Sequence, residues 1–127
     1  MKEVAQKLLD KAVRAIRASE RLLESEDTEF SAGRAYYAMF YVAEALLSEE
    51  GLRFKKHGGV HAAFGEQFSK TRLLDPKYHR WLLEAFNKRI GGDYSVEMPL
   101  TSEDVVTMIA WAQEFLQAAR QYLGSQP

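Results

Sequence analysis

The sequence predicts an all-α fold, an antiparallel up-and-down bundle of four to five helices that forms a single domain over residues 1–127. Three observations favour this fold class. Apolar residues recur every three or four positions through most of the chain. No stretch alternates apolar and polar residues as a half-buried strand would. Glycine, proline and capping residues divide the chain into segments joined by short loops, which is typical of neighbouring antiparallel helices.

Two long amphipathic helices are predicted first, at about 3–24 and about 28–50. The apolar positions that define the first are Val4, Leu8, Ala12, Ile16 and Leu23. Those that define the second are Tyr36, Met39, Phe40, Ala43, Leu46 and Leu47. Gly51 suits the left-handed backbone position that follows a helix. Small residues in the first half of the second helix would let a neighbouring helix approach closely: Ala32, Gly33, Ala35 and Ala38.

The middle of the chain is predicted to hold a basic loop and two shorter helices. Residues 51–59 have no clear period and end in a Gly-Gly pair, so we interpret them as a loop. Val60, Phe64 and Phe68 then repeat at four and predict a helix over about 60–70. Asp75-Pro76 supplies a capping acid and a proline suited to the first helical position. A fourth helix is therefore expected from there to about residue 90, ended by Gly91-Gly92.

The last predicted helix spans about 102–123 and follows an ordered loop at 93–100. Thr101, with Asp104 three residues later, resembles a capping box. Two apolar rows run along this helix, which makes its apolar arc too wide for one neighbour. The first row is Val105, Ile109, Ala112, Leu116, Ala119 and Leu123, and the second is Met108, Trp111, Phe115 and Tyr122. The helix is therefore either central to the bundle or also part of a subunit interface, and we predict a homodimer from it.

Composition excludes several classes of function. The chain has 17 basic and 18 acidic residues, so an anionic partner must meet a local patch rather than the field of the whole molecule. It has no cysteine, which excludes disulfides, thiolate metal sites and cysteine nucleophiles. No stretch approaches the roughly 20 apolar residues that cross a bilayer. With no apolar leader at the N-terminus, the sequence predicts a soluble, cytoplasmic protein without membrane attachment.

Two groups of residues are candidates for chemistry in the middle of the chain. His57 and His61 are four apart and could clasp a metal on one helix, but Gly58-Gly59 between them argues against that helix, and no metal or other cofactor is predicted. The basic loop places an aromatic residue among cations, a combination that can hold phosphate and stack a base. Its cations are Arg53, Lys55 and Lys56. The alternative is a solvated loop without a ligand.

Arg89 is the candidate binding residue that the helical pattern itself indicates. It continues the apolar row of the fourth helix, where a guanidinium must be paired or must reach a cleft. Asp93 and Tyr94 follow directly after the Gly-Gly turn and could fold back onto it. Either an Arg89–Asp93 ion pair fixes the loop, or Arg89 binds an anion.

Three runs of residues resemble the small prokaryotic HEPN domains of the branch catalogued as UPF0332. The run SAGRAYYAMF at 31–40 is similar to the second helix of those domains, and KHGGV at 56–60 to their next signature. Arg89 to Tyr94 resembles the third. The resemblance covers nearly the whole chain and implies a four- or five-helix bundle that usually dimerises. It also implies frequent pairing with a separately encoded minimal nucleotidyltransferase as a toxin–antitoxin module.

Many HEPN proteins are metal-independent ribonucleases whose signature is Arg, four to six residues, then His. Here Tyr94 stands where the resemblance would place the histidine after Arg89. Three hypotheses follow. The chain binds RNA or nucleotide phosphate, or its nucleotidyltransferase partner, through a cleft with Arg89, Asp93 and Tyr94. Alternatively it is a divergent ribonuclease that uses Arg89 with His57 or Tyr94 as catalytic residues. The third hypothesis is a non-catalytic helical dimer.

Overall fold

The computed structural model describes residues 1–89 and 99–125, and within them every regular element is helical. A π-helical turn, Gly65–Ser69, continues the third helix directly. The five α-helices are α1 (Glu3–Glu24), α2 (Thr28–Glu49), α3 (His57–Phe64), α4 (Lys77–Arg89) and α5 (Ser102–Gly124). The all-α bundle predicted from the sequence is therefore confirmed. The expected glycine stop at 91–92 and most of the expected loop at 93–100 lie outside the described residues.

Helices α1 and α2 form an antiparallel hairpin and pack against each other more extensively than any other pair. At the turn end, the hydroxyls of Ser19 and Ser31 each donate to the other residue's backbone carbonyl, at 2.8 and 2.6 Å. At the far end, the Lys2 backbone N–H donates to a carboxylate oxygen of Glu49 at 2.8 Å. Because both serines are fully buried and satisfy each other, they fix the register of the hairpin without leaving an unpaired polar group.

Helix α2 is the centre of the bundle and contacts all four other helices. The small residues predicted to allow close approach, Ala32, Gly33, Ala35 and Ala38, are all buried. Gly51 follows the helix with φ +81°, the left-handed conformation that glycine adopts without steric cost, as the sequence predicts. The position of α2 means that functional side chains on it lie between the other elements rather than on an isolated surface.

Helix α5 begins with the capping box that the sequence predicts. The Asp104 N–H donates to the Thr101 hydroxyl at 3.1 Å, and the Thr101 N–H donates to the Asp104 carboxylate at 2.9 Å. Both apolar rows are covered within one chain. Every residue of the first row is buried, and in the second row Trp111 stacks on Trp81 of α4 and Tyr122 packs edge-on against Phe68. The wide apolar arc thus reflects a central helix, and the homodimer stays a prediction without this support.

The start of α3 differs from the prediction of a loop up to Gly59. The helix begins at His57, so Gly58-Gly59 belong to its first turn. A Cβ on Gly59 would lie 3.2 Å from two carbon atoms of the Phe54 side chain. Glycine there permits close packing of Phe54 against the helix rather than ending it. The sequence pattern predicts a helix-breaking glycine pair here because the contact with Phe54 comes from outside the helix.

The fourth helix and the membrane prediction can also be compared with the structure. Asp75 caps α4 as expected, accepting a hydrogen bond from the Lys77 N–H at 2.9 Å. Among the described residues, no helix combines the length and the apolar character needed to cross a membrane. The cytoplasmic location stays a prediction.

Candidate functional site

A buried tyrosine joins two histidines at the centre of the candidate site. The Tyr36 hydroxyl, on α2, lies 2.8 Å from Nδ1 of His57 and 2.7 Å from Nε2 of His61. The two histidines are one turn apart on α3, the shared helix that the Gly-Gly pair had argued against. Tyr36 and His61 are buried, whereas His57 is partly exposed. We call Tyr36, His57 and His61 the Tyr–His cluster.

All three members of the Tyr–His cluster are neutral near pH 7. Burial raises the pKa of Tyr36 far above its ordinary value, so the hydroxyl keeps its proton. Burial lowers the pKa of His57, and the positive charge of Arg89 lowers it further. Burial lowers the pKa of His61 to about 4, helped by the two other histidines. A single hydroxyl proton can serve only one of the two nitrogens, so the other ring must donate an N–H to the oxygen and the two tautomers are coupled.

Aromatic rings and one further hydrogen bond hold the two imidazoles in place. Phe40 stacks on His57 with ring centroids 4.4 Å apart, and Phe86 meets His61 edge-on at 4.8 Å. The His79 Nε2–H donates to the backbone carbonyl of His61 at 3.1 Å, which links α4 to α3. The rings therefore have little freedom to rotate, and the second nitrogen of His57, Nε2, takes no part in the bond to Tyr36.

Arg89 ends α4 beside the Tyr–His cluster, and its side chain is exposed. Its guanidinium lies over the Tyr37 ring, 5.3 Å from the centroid, and the Arg34 guanidinium lies 5.0 Å from the same centroid. A Cβ on Gly33 would lie 3.3 Å from Arg89 Nε. Glycine there lets the arginine lie close along α2.

The two arginines open onto a surface groove of about 640 Å³, which we call the Arg89 groove. Its lining residues are Leu22, Glu29, Phe30, Gly33, Arg34 and Arg89. Phe30 is 62% exposed, so an aromatic face is free to stack beside the two cations. Within residues 1–89 and 99–125, neither arginine forms an ion pair with a carboxylate. Two guanidiniums without ion-pair partners can hold a phosphate, and the exposed ring beside them can stack a base.

Tyr37 connects the Arg89 groove to the Tyr–His cluster. Its ring carries both guanidiniums and also packs edge-on against His57, with centroids 5.5 Å apart. A phosphate held by Arg34 and Arg89 would therefore be one aromatic ring away from a neutral imidazole. The arrangement combines a basic groove with a candidate acid/base.

The structure brings together some of the site residues that the sequence indicated and separates others. Arg89 and His57 both lie against the Tyr37 ring, which brings together the two residues that the ribonuclease hypothesis pairs. Arg53 lines a different cavity along α1, and Lys55 and Lys56 are exposed. Asp93 and Tyr94 lie outside the described residues. Among the described residues, no group of three or more histidines and carboxylates could hold a metal ion.

Sequence reasoning missed several residues of the site. Tyr36 and Arg34 both lie in the run at 31–40 that carries the family resemblance, but nothing local shows that one is buried against α3 and the other reaches a groove. His61 could have been found from its spacing of four from His57 had the glycine pair been accepted as helical. Phe30 had no signal beyond being an apolar residue in the first turn of α2.

Comparison with known proteins gives consistent matches over most of the chain. The HEPN domain family matches residues 5–122. The chain is 35% identical over 122 residues to a protein of Methanocaldococcus jannaschii named "Putative toxin MJ0142", covering 96% of this chain and 83% of that protein. It is 34% identical over 119 residues to a UPF0332 protein of Gloeobacter violaceus, covering 93% and 94%. A UPF0332 protein of Thermotoga maritima is 38% identical over 97 residues, covering 76% and 74%.

Proposed function

The chain belongs to the HEPN domain family, and on that basis we propose that it is a toxin-like protein whose Arg89 groove binds the phosphate of RNA or a nucleotide. The observation that carries this proposal is the convergence of Arg34 and Arg89 on one ring beside the exposed Phe30. Guanidiniums bind phosphate oxygens bidentately, and an exposed aromatic ring adds stacking for a base.

The proposal includes a partner. Two relatives from M. jannaschii carry toxin names, and a toxin requires a means of restraint. We propose that a separately encoded minimal nucleotidyltransferase fills this role. We also propose that the present chain forms a homodimer. A small nucleotidyltransferase gene beside this one would support the pairing, and a monomeric mass in light scattering would count against the dimer.

A test of the phosphate site compares RNA binding by Arg89 variants. Arg89→Ala is expected to weaken binding of a fluorescent single-stranded RNA by roughly ten- to a hundredfold, since charged hydrogen bonds contribute about 1.5–3 kcal/mol. Arg89→Lys should fall between, because it keeps the charge and loses the bidentate geometry. Fluorescence anisotropy at fixed salt measures both. Arg80→Ala, an exposed arginine on the same helix outside the groove, is the matched control. Equal affinity in Arg89→Ala and the parent chain would contradict the proposal.

A second candidate function, a metal-independent ribonuclease, is favoured by the neutral His57 beside Arg89. His57 Nε2 would accept the proton of a ribose 2′-hydroxyl while that oxygen attacks the adjacent phosphorus. The bond to the 5′-oxygen of the next nucleotide breaks, and that oxygen takes a proton from the imidazolium. Arg89 would stabilise the negative charge that builds on the phosphate. The products are a 2′,3′-cyclic phosphate and a 5′-hydroxyl.

The same RNA experiment separates the two functions. Incubation with excess protein in a chelator should give cleavage that His57→Gln abolishes while RNA binding is retained. Absence of cleavage by the parent chain would reject the ribonuclease function and leave the binding proposal standing.

Gly33→Ala is expected to stabilise the fold while weakening phosphate binding. Glycine inside a helix costs about 0.5–1 kcal/mol relative to alanine, so urea unfolding should show a gain of that size. The new methyl group would push Arg89 Nε away by a few tenths of an ångström, and RNA affinity should fall several-fold. Gly58→Ala is the control, since a Cβ there meets nothing within 4 Å and should leave affinity unchanged. A Gly33→Ala variant with unaltered RNA affinity would show that the position of Arg89 is not important.

A further inference from the structure

A second surface feature, separate from the Arg89 groove, runs along α1. Two cavities of about 690 and 500 Å³ share Val13, Arg17 and Arg120 and so form one continuous trough between α1 and α5. It extends from Val4 to Glu20, and Arg53 also lines it. We call it the α1 trough. None of its lining residues lines the Arg89 groove, so the two surfaces can bind different molecules.

The α1 trough collects positive charge in a chain whose net charge is −1. Five of its cations form no ion pair with any carboxylate in the part of the chain that the structure describes. They are Lys11, Arg14, Arg17, Arg53 and Arg120. Burial raises the pKa of the nearby Glu44, while the positive charges of Arg53 and Lys11 act against that rise. The described lining of the trough holds six cations against two carboxylates, those of Asp10 and Glu20, so positive charge is in excess.

The floor of the α1 trough is aliphatic. Val4 is 43% exposed, and Leu8 and Val13 are partly exposed beside it. No aromatic side chain is among the described residues that line the two cavities. Surfaces that bind single-stranded nucleic acid use aromatic rings to stack bases, and the described lining of the trough offers none. An apolar floor with a basic rim instead matches a ligand that is apolar on one side and acidic on its flanks.

We propose that the α1 trough binds an amphipathic α-helix with acidic flanks, supplied by a partner protein. The stretch from Val4 to Glu20 is about 24 Å long at 1.5 Å per residue, which is enough for a partner helix of about 16 residues. Apolar residues at every third or fourth position of that helix would cover Val4, Leu8 and Val13. The acidic residues on one flank of the helix would pair with Arg14 and Arg17. Those on the other flank would pair with Arg53 and Arg120.

The experiment titrates the full-length protein into a fluorescein-labelled 16-residue helical peptide with leucines on one face and glutamates on its flanks. Saturable binding is expected, and the double variant Arg14→Glu, Arg17→Glu should weaken it at least tenfold. Both arginines are exposed, so the fold should survive, and circular dichroism checks this. Arg80→Glu, a charge reversal on α4 outside the trough, should leave binding unchanged. Replacing the peptide glutamates by glutamine should also weaken binding at least tenfold.

A substitution in the floor distinguishes a helical peptide from RNA. Val4→Ser should weaken peptide binding several-fold but should not affect a polyanion held by charge alone. A 16-nucleotide single-stranded RNA is titrated in parallel. The proposal is overturned if the peptide does not bind, if the double reversal leaves its affinity unchanged, or if only the RNA binds and loses affinity in the double variant. The last result would make the trough a nucleic-acid surface.

Discussion

Acidification from pH 7 to pH 4 is expected to lower the free energy of unfolding by roughly 3 kcal/mol through His61 alone. The folded-state pKa of His61 is about 4, against 6.5 in the unfolded chain. Between these values the unfolded state binds a proton that the folded state refuses. Stability is therefore complete above about pH 6.5, is lost as the pH falls toward 4, and changes no further below that through this group. Burial in the Tyr–His cluster is the physical cause.

Urea unfolding of the parent chain and of His61→Gln at pH 7, 5.5 and 4 measures this effect. Glutamine does not titrate, and its amide can still bond to the Tyr36 hydroxyl. His57, Asp104 and Glu114 also have lowered pKa values, so their contributions to the free energy of unfolding also fall as the pH is lowered. These three residues are present in both proteins. The difference between the two proteins should shrink by roughly 3 kcal/mol on acidification. Parallel pH profiles would mean that His61 is not the buried neutral base described here.

Replacing Phe115 by alanine is expected to lower the free energy of unfolding by about 3–5 kcal/mol. Phe115 is fully buried on α5. Its ring stacks on Tyr78 with centroids 5.2 Å apart and meets Phe64 edge-on at 5.3 Å. Truncation would remove these contacts and leave a cavity between α5, α4 and α3. In a protein of this size, such a loss is a large share of the total stability.

Urea unfolding at pH 7 checks the value, with Phe30→Ala as the matched control. The control makes the same chemical change at a side chain that is 62% exposed, and it should cost less than about 0.5 kcal/mol. Phe115→Leu should cost much less than Phe115→Ala because it retains most of the buried volume. A loss below about 1 kcal/mol for Phe115→Ala would indicate that the surrounding helices collapse to fill the space.

The helices that could be predicted from the sequence are those determined by local signals. Helical periodicity indicates α1, α2 and α5 within a few residues of their observed bounds. The capping box at Thr101 and the cap at Asp75 act over two or three residues, so they are readable from the sequence alone. The left-handed Gly51 follows from the same kind of local chemistry. Such features depend on residues that are close together in the sequence, so the sequence alone is enough to predict them.

The parts that could not be predicted depend on contacts between distant segments. In the first turn of α3 Phe54 packs against Gly59, and the Tyr–His cluster forms because Tyr36 lies across from α3. The sequence predicts a single basic loop that contains Arg53 and His57, whereas in the structure these two residues lie at separate surfaces. Burial of the second apolar row of α5 likewise depends on where α4 packs, and local sequence does not show this. In each case the missing information was the tertiary packing.

The described residues of the candidate site come from four helices, and none of these helices carries the site alone. Leu22, which lines the Arg89 groove, is on α1. Gly33 and Tyr36 are on α2, His57 is on α3, and Arg89 is the last residue of α4. A chain still emerging from the ribosome therefore cannot assemble the proposed phosphate site until α4 has been released and packed against α2. Under the proposed toxin-like function, the order of synthesis itself would delay activity and leave the proposed partner time to arrive before the site is assembled.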